Sequence, residues 1–267
     1  MKMNHLKLVV VDMDGTLLVN RENTSEENVN ALLNLQEKGV KLTVATGRGV
    51  QGLGFIIEAL KLEQFGGYCV GNNGQELFDI RNDKLTIGAK IPFEIAYQII
   101  RFGIEQNVRV FGYGGGKEML HIPVGEKVEG LWAKRRPYNE EEFVSERYDM
   151  DKVGFSVLEG KALYYAEALK KVVKDKVQVL AVDHRTVEIV PNGVDKVVGV
   201  DTIVEKYGFL PEEVLIFGDG QNDVRMMSKY PSVAMGNAYP EIKEVSEYET
   251  LTNKESGVAY FINHYVL

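Results

Sequence analysis

VVVDMDGTLL, residues 9–18, sits near the start of the chain and decides how the rest is read. The run Leu8-Val9-Val10-Val11 has the character of a strand buried on both faces. It ends in two carboxylates, Asp12 and Asp14, which repel each other and do not suit an apolar core. In an extended chain, residues two apart point the same way, so the spacing predicts both acids on one side of the strand end. Gly15 and Thr16 then allow a tight turn with free amide N–H groups. From average residue usage, D-x-D-G-T arises by chance in roughly one chain in several hundred of this length.

Outward from this strand, buried strands and helices alternate. NTSEENVNALLNLQEKG follows, with Thr24 and Glu27 at capping-box spacing, Gly39 as a stop, and Val29, Leu32, Leu33 and Leu35 as an apolar face. VKLTVATGR is a second buried strand with a polar end, FIIEALKL a helix and YCVGNNG a third strand. This βαβαβ order predicts a parallel sheet with right-handed crossovers. The pattern then changes. ELFDIRNDKLTIGAKI reads as paired strands around an Asn-Asp turn. The helix PFEIAYQIIRFGIEQ carries Ile95, Ile99 and Phe102 at helical spacing, and GKALYYAEALKKVVKD carries Leu163, Ala166, Leu169 and Val173. Each is followed by strand-like segments. From about Asp195 the first pattern resumes with DKVVGVDTIVEKYG, EVLIFGDGQND, SVAMGNA, YETLTN and GVAYFINHYVL. The expected organisation is an α/β core over residues 1–82 and 188–267, a Rossmann-like doubly wound parallel sheet, with an α+β domain of residues 83–187 inserted into it.

The 267 residues are 45% hydrophobic and 26% charged, with a net charge of −8. Such a composition is that of a globular protein and argues against a broad nucleic-acid surface. No apolar run approaches the ~20 residues of a membrane span, and the N-terminus lacks the features of a secretory signal. Cys69 is the only cysteine. An intrachain disulfide is therefore impossible, a Cys/His zinc site is absent, and a reducing, cytoplasmic setting is expected.

In a doubly wound sheet, ligands bind beyond the carboxyl ends of the strands. Here three such ends are polar: Asp12 with Asp14, Thr46, and Asp219 with Asp223. Four carboxylates gathered in one crevice call for a cation, and oxygen-only ligands favour Mg2+. Taken singly, Thr46 could be a helix N-cap, Lys196 a solvated lysine at a helix start, and GDGQND a turn or calcium-type loop. Their order and spacing together leave such readings little room.

The four motifs resemble those of the haloacid dehalogenase superfamily, more narrowly its Cof-type sugar-phosphatase-like branch with a large α/β cap. DMDGTLL resembles the first motif, ATGR the second, Lys196 in NGVDK the third and GDGQND the fourth. NNG at 72–74, VAMGNA at 233–238 and the late TN…GVA also resemble this branch. Val197 departs from it, since members often carry glycine after the lysine. The resemblance implies a Mg2+-dependent phosphatase acting on small phosphorylated metabolites, with Asp12 as the nucleophile that forms an aspartyl-phosphate. It implies Mg2+ held by Asp12, the main-chain carbonyl of Asp14, Asp219 and Asp223, the last directly or through water. Lys196 contacts nucleophile and phosphate. Thr46, Gly47 and Arg48 cradle the phosphoryl oxygens. Asp14 is the acid that protonates the leaving alcohol and then the base for water. Asn222 orients the loop around Lys196 or the metal. The inserted cap closes over the site and sets substrate choice, with Tyr113 to Lys117, His121 and Lys134-Arg135-Arg136 as candidate contacts, although a solvated basic run is the commoner outcome; Trp132 is expected in the cap core. A phosphomutase using the same intermediate, a receiver-type signalling domain and a non-catalytic sensor are the competing readings. The first-strand nucleophile, the large insertion and the length argue against a receiver domain, and the complete set of catalytic side chains argues against a sensor.

Overall fold

The computed structural model describes residues 3, 5–20, 22–114, 117–122, 140–182 and 184–267, with the backbone alone for 117–122. The strands are β1 Leu8–Val11, β2 Lys41–Ala45, β3 Tyr68–Gly71, β4 Glu76–Asp79, β5 Lys84–Ile87, β6 Arg109–Gly114, β7 Lys117–Ile122, β8 Met150–Ser156, β9 Val177–Ala181, β10 Thr186–Pro191, β11 Val214–Gly218, β12 Ser232–Ala234 and β13 Tyr248–Glu249. The helices are α1 Glu26–Glu37, α2 Gly54–Ala59, α3 Leu62–Phe65, α4 Phe93–Glu105, α5 Glu140–Glu146, α6 Ala162–Val173, α7 Lys196–Tyr207, α8 Val224–Lys229, α9 Pro240–Val245 and α10 Gly257–Phe261. No helix among the described residues is long and apolar enough to cross a membrane.

The chain forms two compact units, 1–88 with 195–267, and 89–194. The first carries a sheet in the order β13-β12-β11-β1-β2-β3-β4-β5. Strands β13 to β3 run parallel, and β4 and β5 close the edge as an antiparallel hairpin. The valine run of β1 is central and wholly buried, as its lack of polar alternation requires. Its side chains alternate between two cores. Val9 and Val11 join Leu32, Leu35, Ile56 and Phe261 on one face, while Leu8 and Val10 join Val200, Ile203, Met226 and Ile242 on the other. Helices on both faces of a mainly parallel sheet make this the expected doubly wound core. Val197, the departure from the motif, packs into the second of these clusters.

The second unit is antiparallel, in the order β7-β6-β8-β10-β9. α4 and α6 supply Phe93, Ala96, Ile99, Ala162, Ala166 and Leu169 to a core shared with Val110, Val153, Phe155, Val179 and Ile189 of the sheet. Helix-then-two-strands recurs, as α4-β6-β7 and α6-β9-β10.

Three expectations need correction. The boundaries lie after Gly88 and Val194 rather than after residues 82 and 187. β5 pairs with β4, and the Gly88 N–H bonds the Gln75 carbonyl at 2.7 Å, so the hairpin belongs to the first unit. At the other crossing β10 stays whole between β8 and β9. The N-cap of α1 is Ser25, whose side chain accepts from the Asn28 N–H, and not Thr24. Leu163 faces outward with 66% exposure, and Ala162 takes its place against the core.

Candidate active site

Every candidate catalytic, phosphate-holding or metal-ligating side chain lies in the first unit. Strands β1, β2 and β11 are neighbours in the sheet, with β1 between the other two, so their carboxyl ends bring three loops side by side. The chain does not stay extended after Val11. The Leu17 N–H bonds back to the carbonyls of Asp12 and Met13, and the Leu18 N–H to Met13, which closes a tight turn. Asp12 and Asp14 meet different partners across this turn. Asp12 is buried. The side chain of Asp14 is 53% exposed and forms a two-pronged ion pair with Arg48, whose Nε lies 2.8 Å from Oδ2 and Nη2 2.5 Å from Oδ1.

Lys196 is the first residue of α7, and Asp195 caps the helix by accepting from the Val197 N–H. Its Nζ donates to Asp12 Oδ1 at 2.5 Å and to Asp223 Oδ1 at 2.7 Å, with the lysine and Asp223 side chains fully buried. Burial opposes a charge on Lys196, but the two carboxylates outweigh it and raise its pKa, so the ammonium persists. Asp223 also accepts from the Asp219 and Gly220 N–H groups at 3.1 Å each. Asp219 accepts from the Thr16 hydroxyl at 2.8 Å. Gly15 has φ +87°, and a Cβ there would come within 2.2 Å of Asp219 Oδ2, so only glycine lets these loops approach.

One oxygen from each of Asp12, Asp219 and Asp223 lies within 4.8 Å of the others. These three acids share one ammonium. Burial pushes the Asp12 carboxyl well above its usual value against the pull of Lys196, with Asp223 and Asp219 adding to the rise. Burial likewise pushes Asp219 up to about 6, opposed by the Thr16 hydroxyl and helped by Asp223. A set short of positive charge and built of carboxylate oxygens fits a hard divalent cation. The Asp14 side chain stands outside this set.

Thr46 is buried at the end of β2 and its Oγ1 accepts from the Arg48 N–H at 3.2 Å. Asn222 Nδ2 donates to Asn73 Oδ1 at 2.9 Å. Of the candidate cap contacts, residues 115, 116 and 134–136 lie outside the described residues, as does Trp132. Lys117 and His121 fall on β7, where the backbone alone is described, and Tyr113 and Gly114 belong to β6.

Several supports escaped the sequence reading. Asn237 Nδ2 donates to the Gly15 carbonyl at 2.8 Å, and Asn253 Nδ2 to the Leu18 carbonyl at 2.7 Å, while the Asn253 N–H bonds Asn237 Oδ1 at 2.9 Å. Together they brace the loop after β1. The signal was present in VAMGNA and TN, but nothing local says which distant carbonyl an asparagine will meet.

Comparison with known proteins agrees with this geometry. The family model described as haloacid dehalogenase-like hydrolase matches residues 9–262. The 5-amino-6-(5-phospho-D-ribitylamino)uracil phosphatase of Bacillus subtilis is 29% identical over 264 residues, covering 98% of this chain and 96% of that protein. The HMP-PP phosphatase of Yersinia pseudotuberculosis is 24% identical over 268 residues, covering 97% and 95%. A solved haloacid dehalogenase-like hydrolase from Bacteroides thetaiotaomicron superposes with a TM-score of 0.84 at 27% identity, covering 97% of this chain and 98% of that one. A family match over nearly the whole length, on a core that gathers these acids at its strand ends, means that the chain belongs to the haloacid dehalogenase-like hydrolases and is a phosphoric monoester hydrolase among them.

Proposed function

We propose that the chain is a Mg2+-dependent phosphatase that hydrolyses small phosphorylated metabolites through an aspartyl-phosphate on Asp12. The observation that carries this reading is the buried Asp12 carboxylate, held by Lys196 at 2.5 Å within the group it forms with Asp219 and Asp223. Asp12 attacks phosphorus and the bond to the leaving oxygen breaks, with a proton passing from Asp14 to that oxygen. Asp14 then takes a proton from water, whose oxygen attacks the phosphoryl group and frees phosphate and the Asp12 carboxylate. Held by Asp12, Asp219, Asp223 and the main-chain carbonyl of Asp14, Mg2+ would neutralise charge on the phosphoryl oxygens. Lys196 fixes the rotamer of Asp12 and adds its own charge. Thr46, Gly47 and Arg48 bind the non-bridging oxygens. Arg48 turning from Asp14 to the phosphate would release Asp14 for the proton transfers.

Sugar phosphates and similar phosphomonoesters are the proposed substrates. The substrate in the name of the Bacillus subtilis relative, a phosphoribitylamino-uracil, is the first to try. We assign choice of the leaving group to the inserted unit, because the first unit supplies the whole phosphate and proton machinery. The net charge of −8 argues for a soluble metabolite over nucleic acid. A buried, free Cys69 suits the cytoplasm. Phosphate release from p-nitrophenyl phosphate and a panel of sugar phosphates tests the reading. Release that requires Mg2+ and stops with EDTA is expected. Isomerised phosphosugar without free phosphate would make it a mutase, and no turnover of any phosphomonoester would overturn the proposal.

A further inference from the structure

Directly after β3 the chain holds three residues in succession in the left-handed region: Asn72 at φ 46°, Asn73 at 56° and Gly74 at 99°. Such a run persists only where its surroundings over-determine it. Here they are the loops of the active site. The Asn72 N–H donates to the Arg48 carbonyl at 2.8 Å and the Asn73 N–H to the Thr46 carbonyl at 3.0 Å. Asn72 Nδ2 donates to Glu76 Oε1 at 2.6 Å, and Glu76 Oε2 accepts the Val50 N–H at 2.7 Å, which extends the brace past Arg48. Gly74 backs onto the start of α7, where a Cβ would meet the Asp195 carbonyl oxygen at 2.0 Å and the Lys196 nitrogen at 2.9 Å. Asn73 Oδ1 accepts from Asn222, inside the loop that carries Asp219 and Asp223.

One strained turn thus touches the phosphate cradle, the root of Lys196 and the acidic loop. We propose that Asn73 is a positioning residue: its backbone holds the Thr46 loop while its side-chain oxygen holds Asn222, setting the separation between cradle and acids. The catalytic consequence rests on the phosphatase reading; the mechanical one does not. An amide oxygen costs nothing to reorganise during turnover once the turn has fixed its place, and asparagine tolerates left-handed backbone better than most side chains.

Two variants and their combination test this. Asn73→Gly keeps the left-handed backbone and deletes the whole side-chain amide; Asn222→Ala deletes the donor. Each should lower kcat for p-nitrophenyl phosphate roughly tenfold and weaken calorimetric Mg2+ binding in the same direction, with KM and the melting midpoint little changed. The double variant should be no worse than Asn73→Gly alone, because both substitutions remove the bond between these two side chains. Asn73→Asp, which retains an acceptor oxygen, should recover the Mg2+ affinity. Losses that multiply in the double variant, or wild-type kcat and Mg2+ affinity in Asn73→Gly, would overturn the proposal. Were the unaltered chain to hydrolyse no phosphomonoester, the phosphatase reading would fall, while non-additivity in Mg2+ affinity would still decide the role of Asn73.

Discussion

A fully buried ammonium is tolerable at Lys196 because Asp12 and Asp223 lie 2.5 and 2.7 Å from it. The converse does not hold, since three acids share that one cation, and this makes the effects of substitution unequal. Lys196→Ala leaves two buried carboxylates unpaired and should cost about 3–5 kcal/mol in denaturant unfolding with EDTA present. Asp12→Asn removes one of the crowded acids. Its unfolding midpoint in EDTA should not fall, while phosphate release drops to background; turnover retained in a pure preparation would sink the nucleophile assignment. Asp14 differs from Asp12 in lying mostly in solvent against Arg48. Asp14→Asn should spare the attack and impair the proton transfers, so the loss should be smallest with p-nitrophenol as leaving group. Equal losses across good and poor leaving groups, with no phosphate trapped on Asp12, would contradict that division.

At the scale of elements, α7 connects the site to the sheet edge. It starts at Lys196 and near its other end Lys206 donates to Asp79 of β4 at 2.9 Å and lies 4.8 Å from the Tyr68 ring centroid. The Tyr68 hydroxyl and Asn82 also donate to Asp79. Burial would raise the Asp79 pKa, but Lys206, Asn82 and Tyr68 together hold it well below the usual carboxylate range. A folded pKa below the unfolded value contributes stability that is present above about pH 4 and is lost as pH falls toward the folded pKa. Asp79→Asn should therefore melt lower than the unaltered chain near neutral pH, and the gap should narrow as pH falls below about 4. A gap that stays constant across a melting series would show that the ion pair adds nothing. The helix itself was legible: an aspartate cap, an apolar period and Gly208 at its end are local signals. Its partner Asp79 was not, since 127 residues separate Lys206 from it.

In the whole molecule, the two units have separate cores. Phe155 is fully buried in the core of the second. Phe155→Ala should cost about 3–5 kcal/mol to that unit. Calorimetric Mg2+ affinity, which the proposed function assigns to the first unit, should be unchanged; a loss of Mg2+ binding would mean that the units do not hold their sites independently. The insertion was visible in the sequence as a change from βαβ alternation to paired strands and back. Its edges were misplaced by several residues because a strand shows its own periodicity but not its partner: β5 reads the same whether it pairs with β4 or begins a new sheet.

The sequence by itself determined the class of fold, the order of the four motifs and the family, because a fully apolar strand, a helix cap and a short acidic motif are carried by adjacent residues. Tertiary structure alone decided that Asp14 pairs with Arg48, that Lys196 sits between Asp12 and Asp223, and that Asn73 meets Asn222. Each of these depends on groups up to 184 residues apart being packed against one another. Burial also changes what they are chemically: the same carboxyl that ionises freely in a strand exposed to water is pushed toward protonation once the sheet closes around it, and a lysine is what opposes that push.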